Sequence, residues 1–154
     1  PHMREQRWGR IVNVSSILGR VTMPLTGWYQ ASKHGLEAVS DALRLECAGD
    51  GVSVVLVEPG FFRTAIFEDL EADAERYGDE RYAEVYDRMR ANLRRWEPMM
   101  GDPAAVATTV AAAVEASRPR ARYLVGADAQ FLDATRSLTP TVLRDRATRL
   151  ISGL

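Results

Sequence analysis

Two short apolar runs, each β-branched and each ending on polar or turn-forming residues, constrain this chain more than any other feature. Gly9-Arg10-Ile11-Val12-Asn13-Val14 closes on Ser15-Ser16, and Val52-Ser53-Val54-Val55-Leu56-Val57 closes on Glu58-Pro59-Gly60. Runs of this length and composition read as strands buried on both faces, the pattern of a parallel sheet. Between them, residues 27 to about 48 show helical spacing, and Gly49-Asp50-Gly51 supplies the stop. Strand, helix and strand in this order make a parallel crossover unit. Such sheets bind ligands at the carboxyl edge of their strands, here at Ser15, Ser16 and the Pro59-Gly60 turn.

Further elements follow the same logic. Residues 65 to about 96 read as two helices, an acidic one at 68–75 and a second at 80–95 with Tyr82, Val85, Tyr86, Met89 and Leu93 at helical spacing. Asp102 is placed to cap an alanine-rich helix over 103–117. Arg122-Tyr123-Leu124-Val125-Gly126 gives a third short strand, and helical patterns follow at 127–138 and, after Pro140, at 141–151. The last helix is expected to put Arg144, Arg146 and Arg149 on a solvated face.

Lys and Arg together number 20, and all but Lys33 are Arg. In so Arg-rich a chain the exception marks a place where a compact ammonium is needed and a planar fork does not serve. Lys33 follows Tyr29 by four residues in Tyr29-Gln30-Ala31-Ser32-Lys33. On a helix that spacing places the two on one face, about 5–6 Å apart at Cβ. A free phenol titrates near 10 and a neighbouring cation favours the phenolate, so the pair has the makings of a proton-transfer group. A Tyr and a Lys at this spacing are more often plain surface neighbours, so the context decides. Ser16 stands thirteen residues before Tyr29, with Gly19, Pro24 and Gly27 marking a loop between strand and helix.

With these residues in place the sequence closely resembles the short-chain dehydrogenase/reductase family. That family carries a Ser, then thirteen residues later Tyr-x-x-x-Lys, then a Pro-Gly turn after the next strand; here these are Ser16, Tyr29, Lys33 and Pro59-Gly60. The resemblance implies a nicotinamide cofactor, NAD or NADP, and a reaction that interconverts a hydroxyl and a carbonyl by hydride transfer. Tyr29 would be the general acid and base, Ser16 would hydrogen-bond the substrate oxygen, and Lys33 would favour the Tyr29 phenolate and bind the ribose hydroxyls. Pro59 and Gly60 would let the backbone approach the nicotinamide, Phe62 would face its carboxamide through the backbone, and Thr64 would meet the carboxamide or pyrophosphate. Thr64 also suits a helix N-cap, and Ser15 is expected to be a strand-end residue with its side chain on the other face. In the family, residues corresponding to about 61–100 form a helical substrate lid. Phe61, Phe62, Phe67, Trp96, Met99 and Met100 would suit an apolar alcohol or ketone of steroid, retinoid or acyl size, although such a stripe more often packs a lid onto its core.

The resemblance also implies elements that the sequence lacks. No Gly-x-x-x-Gly-x-Gly follows a strand, no charged residue after a second strand selects NAD or NADP, and the family's Asn before the Ser strand is missing. Residues 1–154 are therefore expected to be the C-terminal half of one domain: an α/β, Rossmann-like, doubly wound parallel sheet of about three strands with crossover helices, lacking the N-terminal dinucleotide-binding half. Produced alone, such a chain is expected to be poorly stable, to aggregate or to pair with a second copy, because the Ser strand lacks a neighbour on one side. A monodisperse monomer with a cooperative melt would contradict this.

A net charge of −1 gives no electrostatic case for nucleic acid. The lone Cys47 excludes an intrachain disulfide, and His2 and His34 have no metal-ligand partners at usable spacing. No apolar run reaches membrane-spanning length, and a cytoplasmic homo-oligomer acting on a small molecule is the expectation. The alternative is a non-catalytic half-domain that serves as an interaction or structural module.

Overall fold

The computed structural model describes residues 1–64 and 80–154; the acidic helix expected at 68–75, and Phe67, lie outside them. A short helix α1 (His2–Glu5) leads into β1 (Gly9–Val14), α2 (Gly27–Glu46) and β2 (Val52–Pro59). Then come α3 (Ala83–Trp96), α4 (Pro103–Glu115), β3 (Arg122–Val125), α5 (Ala127–Leu138) and α6 (Thr141–Ser152). The strands form one parallel sheet in the order β1-β2-β3, with Val14 opposite Val57 and Pro59 opposite Val125. The α/β class and three-strand crossover order match the sequence expectation.

The central strand explains the order. Val54, Val55, Leu56 and Val57 are all at most 2% exposed, and β-branched side chains covered on both faces fit only a strand flanked on each side. Fully burying each contributes about 1.5–3 kcal/mol. Val57, Phe62 and Val125 form a core cluster with Val12, Val106, Val110 and Tyr123 packed against it. This joins the sheet to α4 directly beneath the carboxyl edge. β1 has a strand neighbour among the described residues on one side only, and its Val14 is 45% exposed.

Three local features differ from the sequence reading. β2 runs on through Glu58 and Pro59, because Gly60 N–H still donates to the Val125 carbonyl at 2.9 Å. The helix expected at 80–95 begins as a 3-10 turn at Glu80–Tyr82 before α3. On α6, Arg146 and Arg149 are exposed, but Arg144 turns inward with Thr148 and Ser152 while Val142 and Leu150 face solvent. Tertiary contact with α3, where the Asn92 side chain donates to the Ile151 carbonyl at 3.1 Å, overrides the periodicity. No helix among the described residues is long and apolar enough to cross a membrane.

Candidate active site

The end of β1 delivers the first site residues. Ser15 N–H still pairs with the Val57 carbonyl at 2.8 Å, and the chain then turns through a 3-10 helix at Ile17–Gly19. Ser16 caps that turn, its Oγ accepting the Leu18 N–H at 3.1 Å. A hydroxyl has two acceptor lone pairs and one donor hydrogen, so capping leaves the Ser16 proton available. Ser15, expected to turn away, also borders the site, and its buried Oγ has no hydrogen-bond partner.

Gln30 folds the intervening loop onto α2. Its amide donates to the Met23 carbonyl at 2.7 Å and to the Thr26 hydroxyl, and its carbonyl oxygen accepts the Met23 N–H at 3.2 Å. This fixes the first turn of α2, where Tyr29 stands half-buried. Lys33 lies one turn later with Nζ 5.7 Å from the Tyr29 ring centroid, and that Nζ donates to the Val14 carbonyl at 3.1 Å. The one lysine is thus pinned between its tyrosine and the strand that carries Ser16.

From the other side comes the Pro59-Gly60 turn. Phe61 N–H donates to the Asp128 carboxylate at 2.6 Å, a charge-assisted bond across 67 residues. Phe61 C=O accepts from Gly101 N–H at 3.1 Å, and Arg63 N–H donates to Gly101 C=O at 3.2 Å. The buried Phe62 ring occupies the space that a side chain at Gly101 would need. Phe61 also meets Trp96 with ring centroids 6.5 Å apart.

Serine, tyrosine, lysine and turn converge on one cavity of about 730 Å³. Ser16, Tyr29 and Lys33 form its polar wall, and Pro59, Gly60, Phe61, Phe62 and the exposed Thr64 form a second. Val14, Ile17, Val106 and Val110 supply an apolar lining. Every catalytic and cofactor-binding residue expected from the sequence borders this space, whereas Trp96, Met99 and Met100 of the expected apolar stripe do not. A cavity with apolar faces and a few convergent polar groups suits a small ligand, with a proton donor held beside a fixed cation.

The site's support was not visible in the sequence. Glu58, fully buried on β2, lies 3.1 Å from Arg20 and 3.2 Å from Arg122. Burial raises its pKa above the usual carboxylate value and Glu37 adds to the rise, while the hydrogen bond and charge of Arg20 and the charge of Arg122 oppose it. Between the ordinary value near 4.5 and the raised one, the folded state holds a proton that the unfolded state has released. This contribution to stability is therefore complete below about 4.5 and is lost as pH rises through the raised value. Glu58→Gln is expected to flatten that fall, read from melting temperatures of the two proteins across acidic to neutral buffers; parallel curves would show that Glu58 does not carry it. Among the described residues no group of His, Cys, Asp or Glu is placed to hold a metal ion.

Gly60 illustrates how tightly the turn is held. A Cβ added there would lie 2.1–2.4 Å from the Asp128 carboxylate. Gly60→Ala is expected to displace Asp128 from Phe61 N–H and to cost about 1–3 kcal/mol in urea unfolding. Adding Asp128→Ala should restore part of the loss, whereas strictly additive losses would contradict the clash.

Residues 1–75 match the family model described as short chain dehydrogenase. The chain belongs to the short-chain dehydrogenase/reductase family. Among curated members it is 34% identical over 144 residues to the NADPH-dependent 3-dehydrocapnine reductase of Ornithobacterium rhinotracheale, covering 93% of this chain and 51% of that protein. It is 38% identical over 159 residues to human 17-beta-hydroxysteroid dehydrogenase type 6, covering 94% and 49%. A short-chain dehydrogenase structure from Streptomyces avermitilis superposes with a TM-score of 0.68 at 29% identity, covering 97% of this chain and 55% of that one. This short-chain dehydrogenase/reductase chain thus spans about half the length of the relatives it matches.

Proposed function

We propose that the protein to which this chain belongs is a nicotinamide-dependent oxidoreductase that interconverts a hydroxyl and a carbonyl, with Tyr29 as its acid and base. The observation that carries this reading is the convergence of Ser16, Tyr29, Lys33 and the Pro59-Gly60 turn on one cavity. Those residues fit the nicotinamide and ribose end of NAD or NADP. A flat ring suits the apolar wall beside the turn, ribose hydroxyls suit the Lys33 ammonium, and the orphaned Ser15 Oγ marks polar capacity unused by the protein. Among the described residues no glycine-rich turn after a strand serves the pyrophosphate, so the fit is to one end of the cofactor only. The NADPH dependence in the name of the capnine reductase supports a nicotinamide cofactor.

When bound, the cofactor supplies or accepts the hydride. Tyr29 Oη gives its proton to the substrate oxygen in carbonyl reduction and takes it back in alcohol oxidation. Ser16 Oγ donates to that oxygen as its charge develops, a preorganised contact of the oxyanion-hole kind. Lys33, held by the Val14 carbonyl, keeps its ammonium beside the Tyr29 ring, where it would bind the ribose hydroxyls of the cofactor. Phe61, Phe62 and the valines of α4 favour an apolar substrate, in keeping with the hydroxysteroid in the name of the human relative. A cytoplasmic homo-oligomer remains part of the proposal.

The test uses the full natural chain with NADH and NADPH against a panel of apolar ketones, followed by nicotinamide absorbance. Turnover with at least one ketone is expected. Folded protein that binds cofactor yet turns over none would favour a half-domain with an interaction role.

A further inference from the structure

One buried carboxylate ties together the turn, helix and strand that carry Ser16, Tyr29, Lys33 and Pro59. Glu58 directly precedes Pro59, has no exposure, and sits between two arginines. Arg20 reaches it from the end of the Ser16 turn and also pairs with Asp133 of α5 at 2.8 Å. Arg122 reaches it from β3 and pairs with Glu37 at 3.0 Å and Asp41 at 2.8 Å. Glu37 stands one helical turn beyond Lys33 on α2. The Ser16 turn itself is seated closely on that helix: a Cβ at Gly19 would lie 3.1 Å from Glu37 and 3.2 Å from the Lys33 carbonyl.

None of Arg20, Glu58 and Arg122 borders the cavity, so they do not act on a ligand directly. Nor is stability a sufficient account of them. Taking the Glu58 carboxylate wholly, and two guanidinium groups largely, out of water is costly, and well-packed apolar residues often stabilise a fold as well or better. What the ionic bridge adds is direction. Arg20 donates a directional bond to Glu58, Arg122 donates to Glu37 and Asp41, and their charge contacts with Asp133 and Glu58 carry each arginine on to a second element.

We propose that Arg20, Glu58 and Arg122 form a positioning network that sets Ser16 in register with Tyr29, Lys33 and the Pro59-Gly60 turn. The inference rests on the oxidoreductase reading for its kinetic consequence, and on the geometry alone for its structural one. Arg20 is the member to change, because Arg122 continues to neutralise Glu58 when Arg20 is lost.

In the full natural chain, Arg20→Met is expected to lower kcat by up to about 100-fold, the scale of a 1 Å misplacement. KM for the cofactor should stay within about twofold, because Lys33 and the Pro-Gly turn keep their own anchors. Arg20→Lys, which keeps a charge at Glu58 but cannot span both carboxylates, should recover part of the rate. In a Ser16→Ala background the same Arg20→Met change should cost almost nothing more, since its effect runs through Ser16. An unchanged kcat, or a full additional loss without Ser16, would overturn the proposal.

Amide hydrogen exchange at Leu18 and Arg20 reads the network without catalysis, and Arg20→Met should speed it while leaving β2 protected. Parent protein that shows no turnover, together with faster exchange in the variant, would sink the oxidoreductase reading and keep the positioning role. Unchanged exchange would sink the positioning role whatever the activity. Should Arg20→Met not fold, Arg20→Lys carries the same comparisons.

Discussion

Replacing Tyr29 by Phe is expected to lower kcat by about 10²–10⁴-fold, the usual contribution of a positioned proton donor, with little change in cofactor affinity. The substitution removes one oxygen and keeps the ring, so the packing of the first turn of α2 and the ring's contact with Lys33 at 5.7 Å persist. What disappears is the only phenol bordering the cavity among the described residues. Ser16 remains to polarise the substrate oxygen but cannot replace the lost proton, so the deficit belongs in kcat more than in KM. Fluorescence titration with NADPH or NADH alongside steady-state kinetics separates the two. A variant with parental kcat would remove Tyr29 from the mechanism.

Lys33→Arg is the second change with a large expected effect, although it conserves charge. The ammonium fits between the Val14 carbonyl, 3.1 Å away, and the face of Tyr29. A guanidinium is longer, planar and rigid, and cannot occupy that gap without moving β1 or the phenol. Cofactor binding and catalysis then suffer together: KM for the cofactor should rise, and kcat should fall by about 100-fold as the displaced phenol loses its alignment with the substrate oxygen. Unaltered KM and kcat would show that any cation serves there, and the compositional oddity of a single lysine would lose its meaning.

Much of the frame was legible because it rests on local pattern. The apolar runs at 9–14 and 52–57 allow only covered parallel strands, and Ser16, Tyr29, Lys33 and Pro59-Gly60 sit at spacings that a strand, loop and helix convert into one cavity. The bounds of α5 and the Asp102 cap follow from equally local signals, with Asp102 accepting the Ala104 N–H at 2.9 Å. What escaped depends on contacts between distant residues. Glu58 reads as the tail of a strand until Arg20 and Arg122 are seen beside it. Asp128 reads as an ordinary first-turn acid in a helix that follows a short strand. Nothing local foretells that it holds Phe61 N–H, or that Phe62 bridges to Gly101. The inward turn of Arg144 on α6 has the same origin, since periodicity locates a stripe without saying which neighbour will meet it.

Hydride transfer from a nicotinamide onto a carbonyl carbon in this cavity, with Tyr29 supplying the proton, is read out by isotope transfer. The full natural chain would be supplied with an accepted ketone and a nicotinamide deuterated at the transferring carbon, and the alcohol product analysed by mass spectrometry and proton NMR. One deuterium is expected on the former carbonyl carbon in ordinary water, and none at that carbon when the label is in the solvent instead. Label arriving at carbon from solvent, or none arriving from the cofactor, would contradict it.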